Sequence, residues 1–223
     1  MLTVYRSNKA EWLAKVLAEK LRLDPPDPFE ETEIIVNTWP ASRWLGEEIA
    51  TISGINALTK FPFPGARLRE LGKIVNGIED HDKDPWIANQ LVWQVIEVFP
   101  TLIEMAEAKP LKEWVSQYQS PKDHLDHKIW QLARTIADIF DDYCLYRTEL
   151  ITEWWNSNDN QPSNRNQLPK QILWQPVLLK LLKKKIKRKP FCLLVKEAVK
   201  KISEGSVITQ NLPRTIHLFG ISS

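Results

Sequence analysis

The chain has 223 residues, a length that suits one domain or two small ones and supplies ample material for a hydrophobic core. Its 43% of hydrophobic and 26% of charged residues exclude a disordered chain, and a net charge of +2 excludes an overall polyelectrolyte. No apolar run approaches the length of about 18 residues typical of a membrane span, and Arg6, Lys9 and Glu11 interrupt any secretory signal. Two cysteines, Cys144 and Cys192, are too few for a disulfide framework or a cysteine-rich zinc site, so we expect buried free thiols in a cytoplasmic protein.

The first 65 residues and the last ones predict parts of one parallel α/β sheet. Residues 2–5 are β-prone, and the continuous apolar run 34–36 is typical of a buried parallel strand. Helices are predicted after each of these runs, the second one opened by Pro40. Residues 61–65 contain two X-Pro bonds and are predicted to be extended. A final strand is predicted at 215–219, ended by a glycine.

Between these stretches the apolar residues follow a helical period. Residues 88–99 form a clear amphipathic pattern, which we expect Pro100 to end. Another helix is predicted to start at 120–123, with proline in its first turn, and helices are predicted again between about 172 and 202. The polar stretch 156–169, rich in Asn, Ser and Pro, predicts a surface loop or a disordered excursion.

This order predicts an α/β, predominantly helical fold, in which a helical insertion interrupts a small parallel sheet. We expect residues 1–65 and 206–223 to form one discontinuous α/β core and residues 66–205 to form the helical insertion. Because no covering helix follows the last strand, we expect the chain to be an N-terminal fragment of a longer protein.

The positions where a nucleotide-dependent motor would bind phosphates and magnesium lack the residues for that chemistry. A phosphate-binding loop needs glycines whose N–H groups wrap the phosphates, yet residues 5–9 contain none. The only Gly-Lys pair, at 72–73, is followed by Ile74 in a helical context. The terminal run 216–220 has no acid to coordinate magnesium. We therefore expect no ATP hydrolysis, no catalytic residues and no cofactor bound by this chain.

Two histidines near a predicted helix start are ambiguous. His124 and His127 lie beside Asp123 and Asp126, and metal binding is conceivable at that spacing. Acids in a first turn also complement the helix dipole, and that interpretation is favoured, so no metal site is predicted. His217 has no partner pattern, and no catalytic triad follows from the spacing of the other residues.

A cluster of acids lies on one face of the predicted helix that follows. Asp138, Asp141 and Asp142 share this face, with Arg134 one turn before them and Arg147 after them. A solvated, ion-paired surface explains the pattern, and a metal site would need further ligands from elsewhere. The third alternative is base recognition, because Asp accepts hydrogen bonds from cytosine and Arg donates them to guanine.

Residues 170–201 carry eleven Lys or Arg and one acid, Glu197. This scarcity of acids favours phosphate binding over a merely solvated face, and a membrane surface fits less well because the apolar side of the helix is needed for packing. The candidate phosphate contacts are the densest part of the run: Lys183, Lys184, Lys185, Lys187, Arg188 and Lys189.

Several short stretches, taken in order along the chain, form a recognisable set: 1–8, 35–38, 43–45, 61–64, 137–143, 146–147, Trp154, 174–175 and 219–222. This ordered set resembles the N-terminal region of the RecC family, the gamma subunits of exodeoxyribonuclease V. Residues 75–120 match that family only in helical pattern.

The resemblance implies a fold similar to the first half of a superfamily 1 helicase without working nucleotide motifs. The core would be 1A-like and the helical insertion 1B-like. Motor and nuclease activities, with their ATP and Mg²⁺, would belong to RecB-like and RecD-like partner subunits. The gamma subunit would split double-stranded DNA ends, thread the 3′-ended single strand and scan it for a Chi sequence.

The resemblance also implies which residues of this chain scan the strand. Trp39, Arg43 and Arg69 depart from the common family pattern at neighbouring positions, and helical periodicity buries Ile139, which the resemblance places on the scanning face. The expected function is thus a non-catalytic, DNA-binding subunit; the alternative is a protein–protein scaffold whose basic helix binds an acidic partner. The implied scanning residues are Asn37, Phe63, Asp138, Ile139, Asp141 and Arg147.

Overall fold

The computed structural model describes residues 2–27, 29–78, 84–118, 125–157, 168–206 and 212–221. As predicted, the fold is predominantly helical with a small parallel sheet. The chain divides into two compact units, residues 1–71 with 208–223 (the first unit) and residues 72–207 (the second unit). The helix start predicted at 120–123, with Asp123, and also His124 and most of the loop predicted at 156–169 lie outside the described residues.

Nine helices and three strands form the described part of the chain, with short 3₁₀ turns at Ala106–Ala108 and Lys170–Ile172. The strands are β1 (Thr32–Ile35), β2 (Thr59–Lys60) and β3 (His217–Leu218). The helices are α1 (Ala10–Leu23), α2 (Trp39–Ser53), α3 (Pro64–Val75), α4 (Ala88–Ile103), α5 (Lys109–Ser116), α6 (Leu125–Tyr146), α7 (Thr148–Asn156), α8 (Trp174–Ile186) and α9 (Phe191–Ser203).

The sheet of the first unit has the strand order β2-β1-β3, and both pairs are parallel. Side chains alternate between its faces. Ile34 and Val36 are fully buried in a cluster with residues of α1 and α2, such as Ala18 and Leu45. Glu33 points to the opposite face and pairs with Arg67 of α3. The sheet therefore has an apolar face toward α1 and α2 and a charged contact with α3.

The strand predicted at residues 2–5 does not form. Leu2, Val4 and Tyr5 are exposed and have no strand assignment, so the first strand in chain order is β1. β-Propensity mainly describes how well a side chain fits a paired, half-buried surface. Without a neighbouring strand, the β-prone residues at the start remain irregular.

Two prolines act differently from the prediction. Residues 64–65 are helical, because Pro64 opens α3 with a ring that already fixes a helical φ, and the Arg67 N–H donates to the Phe63 carbonyl at 3.0 Å. Pro100 lies inside α4, which continues to Ile103. Proline removes one helical hydrogen bond, but the buried side chain of Leu102 holds the last turn of α4 on the core.

The core of the second unit is a single cluster contributed mainly by α4, α6, α7, α8 and α9. Leu91, Phe140 and Leu178 are among its fully buried side chains. Cys144 and Cys192 are buried thiols, as predicted, and a hydrogen bond with the Cys144 thiol lowers the pKa of Cys192, against the opposing effect of burial. Within the described ranges no helix has the length and apolar character that a bilayer span requires.

Candidate nucleic-acid interface

The carboxyl ends of the three parallel strands meet at one edge of the sheet in the first unit. The Val36 N–H donates to the Pro62 carbonyl at 3.2 Å, which continues the pairing of β1 with the segment after β2. Next to it, the Asn37 side-chain amide donates to the Gly220 carbonyl at 3.4 Å, just after β3. In open α/β sheets this edge is the usual place for a ligand. The sequence folds so that an amide and an aromatic residue, Phe63, follow the strands there.

An exposed aromatic pair lies at this edge. The rings of Trp39 and Phe63 meet edge to face, with centroids 5.8 Å apart. Trp39 is 75% exposed, whereas Phe63 is half-buried. Trp39 is held at the first turn of α2, where the Thr38 hydroxyl accepts the Ala41 N–H at 3.3 Å. Most of the Trp39 side chain is thus accessible on a well-anchored helix start.

A groove of about 730 Å³ runs beside Trp39 along α2. The Arg43 side chain lines it and is 86% exposed, and its Nε lies 3.8 Å from Oε1 of Glu47. A surface with an exposed aromatic side chain and an exposed guanidinium suits the stacking of bases and the neutralisation of phosphates. The lining residues are Trp39, Pro40, Ser42, Arg43, Gly46, Glu47, Ala50 and Phe61.

Trp39 was not among the predicted scanning residues, although its sequence context contained a signal. A tryptophan between the helix-capping Thr38 and Pro40 lies at the first turn of a helix, before the apolar face of that helix begins. At such a position a large ring has no core to enter. The exposed aromatic residue was recognised only as a departure from the family pattern.

The acidic cluster lies on the accessible face of α6 in the second unit. The Asp138 side chain is 51% exposed and pairs with Arg134, whose Nη2 lies 3.1 Å from Oδ1 of the aspartate. Asp142 is exposed and Asp141 is half-buried. An exposed pair of this kind contributes little to folding, typically below about 1 kcal/mol. The exposed carboxylates of Asp138 and Asp142 are therefore accessible to a ligand.

Ile139 lies between the core face and the acidic face of α6. It is half-buried, while Phe140 beside it is fully buried. Helical periodicity predicts that Ile139 is buried, whereas the family resemblance places it on the accessible scanning face. Its observed exposure is between these two expectations. An edge of the Ile139 side chain is accessible next to Asp138.

Arg147 is exposed at the junction of α6 and α7. Its N–H donates to the Tyr143 carbonyl at 2.9 Å, and its own carbonyl accepts the Ile151 N–H at 3.2 Å. These two backbone bonds fix the junction, so the guanidinium projects from a defined position. Of the scanning residues implied by the resemblance, Asn37 and Phe63 lie in the first unit, whereas the others lie in the second.

Three of the six predicted phosphate-binding cations have side-chain contacts within the described part of the chain. Lys183 Nζ donates to the Trp155 carbonyl at 2.6 Å and lies 4.9 Å from the centroid of its ring. Lys185 pairs with Glu97, and Lys189 pairs with Glu197.

The other three cations of the run are differently placed. Arg188 is half-buried, with Nε and Nη2 enclosed and without a hydrogen-bond partner. Lys184 and Lys187 are exposed, and among the described residues neither one has an ion pair. These two lysines are thus the most available cations of the run.

The residues considered for nucleotide or metal binding make the following contacts. Ser7 accepts the Lys9 N–H at 3.0 Å just before α1, and residues 5–9 contain no glycine. The pKa of His217 on β3 is lowered below its usual value, mainly because the imidazole is partly buried and to a smaller extent because of the positive charge of Lys20. His127 stacks on Trp130 at 6.3 Å. In the described ranges no three His, Cys, Asp or Glu residues are grouped so that they could hold a metal ion.

Comparison with known proteins adds the family. The sequence family described as "RecC, N-terminal domain" matches residues 2–223. Proteins named "RecBCD enzyme subunit RecC" are 32% identical in Haemophilus influenzae, 29% in Escherichia coli K12 and 23% in Mycolicibacterium smegmatis. These matches cover 75%, 69% and 98% of this chain, but only 15%, 13% and 18% of the relatives. The chain spans less than a fifth of the length of these relatives. Because the family match covers residues 2–223, the chain belongs to the RecC family.

Proposed function

We propose that the chain is part of a non-catalytic, DNA-binding subunit of a cytoplasmic RecBCD-type helicase–nuclease. Its first unit is a 1A-like helicase core without nucleotide chemistry, and its second unit is the 1B-like insertion. RecB-like and RecD-like partners use ATP and Mg²⁺ to move DNA and to cut it. This subunit guides the 3′-ended strand from a double-strand end and scans it for a Chi sequence during repair.

The observation that carries this proposal is the exposed Trp39 ring beside Phe63 at the carboxyl edge of the sheet. Trp39 is 75% exposed and lines the groove beside α2, and an exposed apolar patch of this kind marks a candidate binding surface. Bases of a single strand stack on such rings at roughly 1–3 kcal/mol each. Asn37 adds an amide that can read a base edge, and Arg43 adds a cation for a phosphate.

The charges of the second unit agree with a base-reading role. Carboxylates repel phosphates, so Asp138 and Asp141 fit beside a DNA strand only where they meet base edges. Arg147 supplies the complementary bidentate donor for guanine. The half-buried Ile139 adds an apolar contact next to them.

The Asp138→Ala and Arg147→Ala variants of the complete subunit, assembled with its partners, test this function. The readout is the sequence response, defined as the ratio of DNA products that end at a preferred sequence to those that end elsewhere, on linear duplex with a randomised tract. Each variant is expected to change recognition by about 1–3 kcal/mol per lost contact. Unwinding of other DNA should remain unchanged, since Asp138 and Arg147 lie at the surface.

Asp142→Ala is the matched control, because Asp142 is an exposed carboxylate on the same helix and is outside the proposed reading set. It should leave the sequence response unchanged. The proposal fails if the wild-type complex has no preferred sequence. It also fails if both test variants lower the melting temperature and leave the sequence response intact.

A second prediction concerns phosphate contacts of the basic run. Replacing Lys184 and Lys187 by Gln should weaken binding of single-stranded DNA about equally for all sequences. In a plot of the logarithm of the binding constant against the logarithm of the salt concentration, the slope should become less steep by roughly 0.7 per lost contact. The measurement is a salt titration of the complete subunit with mixed-sequence single strands.

Lys185→Gln with Lys189→Gln gives a control of equal charge, since both of these lysines are already paired with glutamates. This control should reduce the slope of the salt titration less than the Lys184→Gln/Lys187→Gln variant does. Equal slopes for both double variants would contradict the assignment of Lys184 and Lys187 as phosphate contacts. A loss of binding to an acidic protein partner, with DNA binding unchanged, would support the scaffold alternative instead.

The third prediction is that ATP–Mg²⁺ does not stabilise this chain in a melting assay. Residues 2–9 provide no glycine to wrap phosphates, and β3 presents His217 where a magnesium-binding carboxylate would be needed. A ligand present at 100 times its dissociation constant adds roughly 2.7 kcal/mol of stability. A nucleotide-dependent rise in melting temperature would therefore contradict a role without nucleotide chemistry.

A further inference from the structure

A buried ion-pair network links β1 to α3, just after Phe63. Arg67 is 4% exposed, and its Nη2 lies 2.6 Å from Oε2 of Glu33 on β1. Its Nη1 lies 2.7 Å from Glu70 on the next turn of α3. Nε of Arg67 is buried without a hydrogen-bond partner. A buried charge of this kind is costly and contributes less to stability than a well-packed apolar contact.

The network is joined to Phe63 through the backbone of α3. Arg67 belongs to the first turn of α3, and its N–H donates to the Phe63 carbonyl at 3.0 Å. On the other side of Phe63, the Pro62 carbonyl accepts the Val36 N–H of the strand segment that follows β1. The backbone at Phe63 is therefore held from both sides by contacts to one strand.

The ion pair with Glu33 restricts the position of α3 more than apolar packing alone does. Apolar side chains tolerate rotation and sliding of a helix, whereas the contact of the buried Arg67 guanidinium with Glu33 ties α3 to one carboxylate of β1. The opposite face of the sheet is anchored by Ile34 and Val36 in an apolar cluster. On the α3 face, Glu33 offers a charged contact instead.

We infer that Glu33 and Arg67 are positioning residues that hold Phe63 against Trp39 and thereby set the shape of the base-stacking surface. This inference rests on the proposed function for its consequence in DNA recognition. The placement of Phe63 itself is a property of the protein alone and is tested without DNA.

The experiment compares the complete subunit with its Glu33→Leu/Arg67→Met variant, which replaces the ion pair by side chains of similar size. Trifluoromethyl-phenylalanine at position 63 reports its distance from the Trp39 ring through the ¹⁹F chemical shift. The Trp39→Leu protein provides the reference without that ring. We expect the double variant to move the resonance toward the reference, while the melting temperature stays within a few degrees of wild type.

In the assembled complex, the double variant should lower the sequence response about fivefold or more, the loss expected when one stacking contact is disturbed. It should cause no further loss in a Phe63→Ala background, because it acts through Phe63. The Glu19→Leu/Arg22→Met variant, an exposed pair on α1, is the control and should change neither readout. If the double variant does not fold, the Arg67→Lys variant replaces it, because lysine keeps the positive charge without the planar guanidinium group. Arg67→Lys should change the ¹⁹F resonance and the sequence response in the same direction, by smaller amounts than those expected for the double variant.

An unchanged ¹⁹F resonance overturns the inference whatever happens to DNA recognition. A shifted resonance with an unchanged sequence response also overturns it, provided that Phe63→Ala itself lowers that response. If Phe63→Ala has no effect on the sequence response, the reading role proposed for Phe63 is wrong. In that case the resonance alone decides whether Glu33 and Arg67 position the ring.

Discussion

Phe140→Ala is expected to lower the free energy of unfolding of the second unit by about 3–5 kcal/mol, the cost of removing a buried aromatic ring. Phe140 is 2% exposed and lies in the cluster formed by the helices of this unit. Its ring is 6.0 Å from that of Tyr143, which is in turn 6.1 Å from Trp154. The cavity would thus open within a chain of aromatic contacts between α6 and α7. Urea denaturation of the chain, followed by helical circular dichroism, measures the loss.

Thr135→Ala is the matched control for this prediction, because Thr135 is exposed on the same helix. Surface substitutions of this kind usually change stability by less than about 0.5 kcal/mol. If Phe140→Ala costs no more than Thr135→Ala, the ring does not belong to the core described here.

Arg67→Met alone is expected to destabilise the first unit by about 3 kcal/mol, because it leaves Glu33 partly buried without its cation. Adding Glu33→Leu should recover most of this loss, since the pair is then replaced by apolar side chains. Arg22→Met on α1 removes an exposed ion pair and should cost below about 1 kcal/mol. Thermal unfolding monitored by tryptophan fluorescence, compared among these variants, provides the measurement.

If adding Glu33→Leu does not restore stability, the loss in Arg67→Met does not come from an unpaired Glu33 carboxylate. Arg67 would then contribute to stability by packing of its aliphatic part and not by its ion pairs. The restoration is therefore the informative step, more than the destabilisation by the single variant.

Much of the fold could be predicted, because the helical repeat of apolar residues and the continuous apolar run of a buried strand are local properties of the sequence. The apolar run around Ile34 predicted a buried parallel strand, and the repeat in residues 88–99 predicted α4. What could not be predicted depended on partners distant in the chain. Residues 2–5 have β-propensity without a neighbouring strand, and Pro100 stays helical because Leu102 is buried beyond it.

The candidate site shows the same division. The accessible face of α6 followed from its periodicity, and Asp138 and Asp142 are exposed there. The availability of the lysines did not follow, because a count of charges cannot show that Lys185 meets Glu97 on another helix. The Trp39–Phe63 contact joins residues from two segments that only the parallel sheet brings together.

The pairing of β1 with β3 has a consequence for synthesis on the ribosome. Asn37 and Gly220, which are joined by a hydrogen bond, are separated by 183 positions. At about 5–20 residues per second, roughly ten to forty seconds pass between the emergence of the two segments. Residues 72–207 are complete before β3 appears, so the helical unit can fold while the first unit still lacks one strand. During that interval one edge of β1 is without its native neighbour, and the nascent chain is most exposed to mispairing and to capture by chaperones.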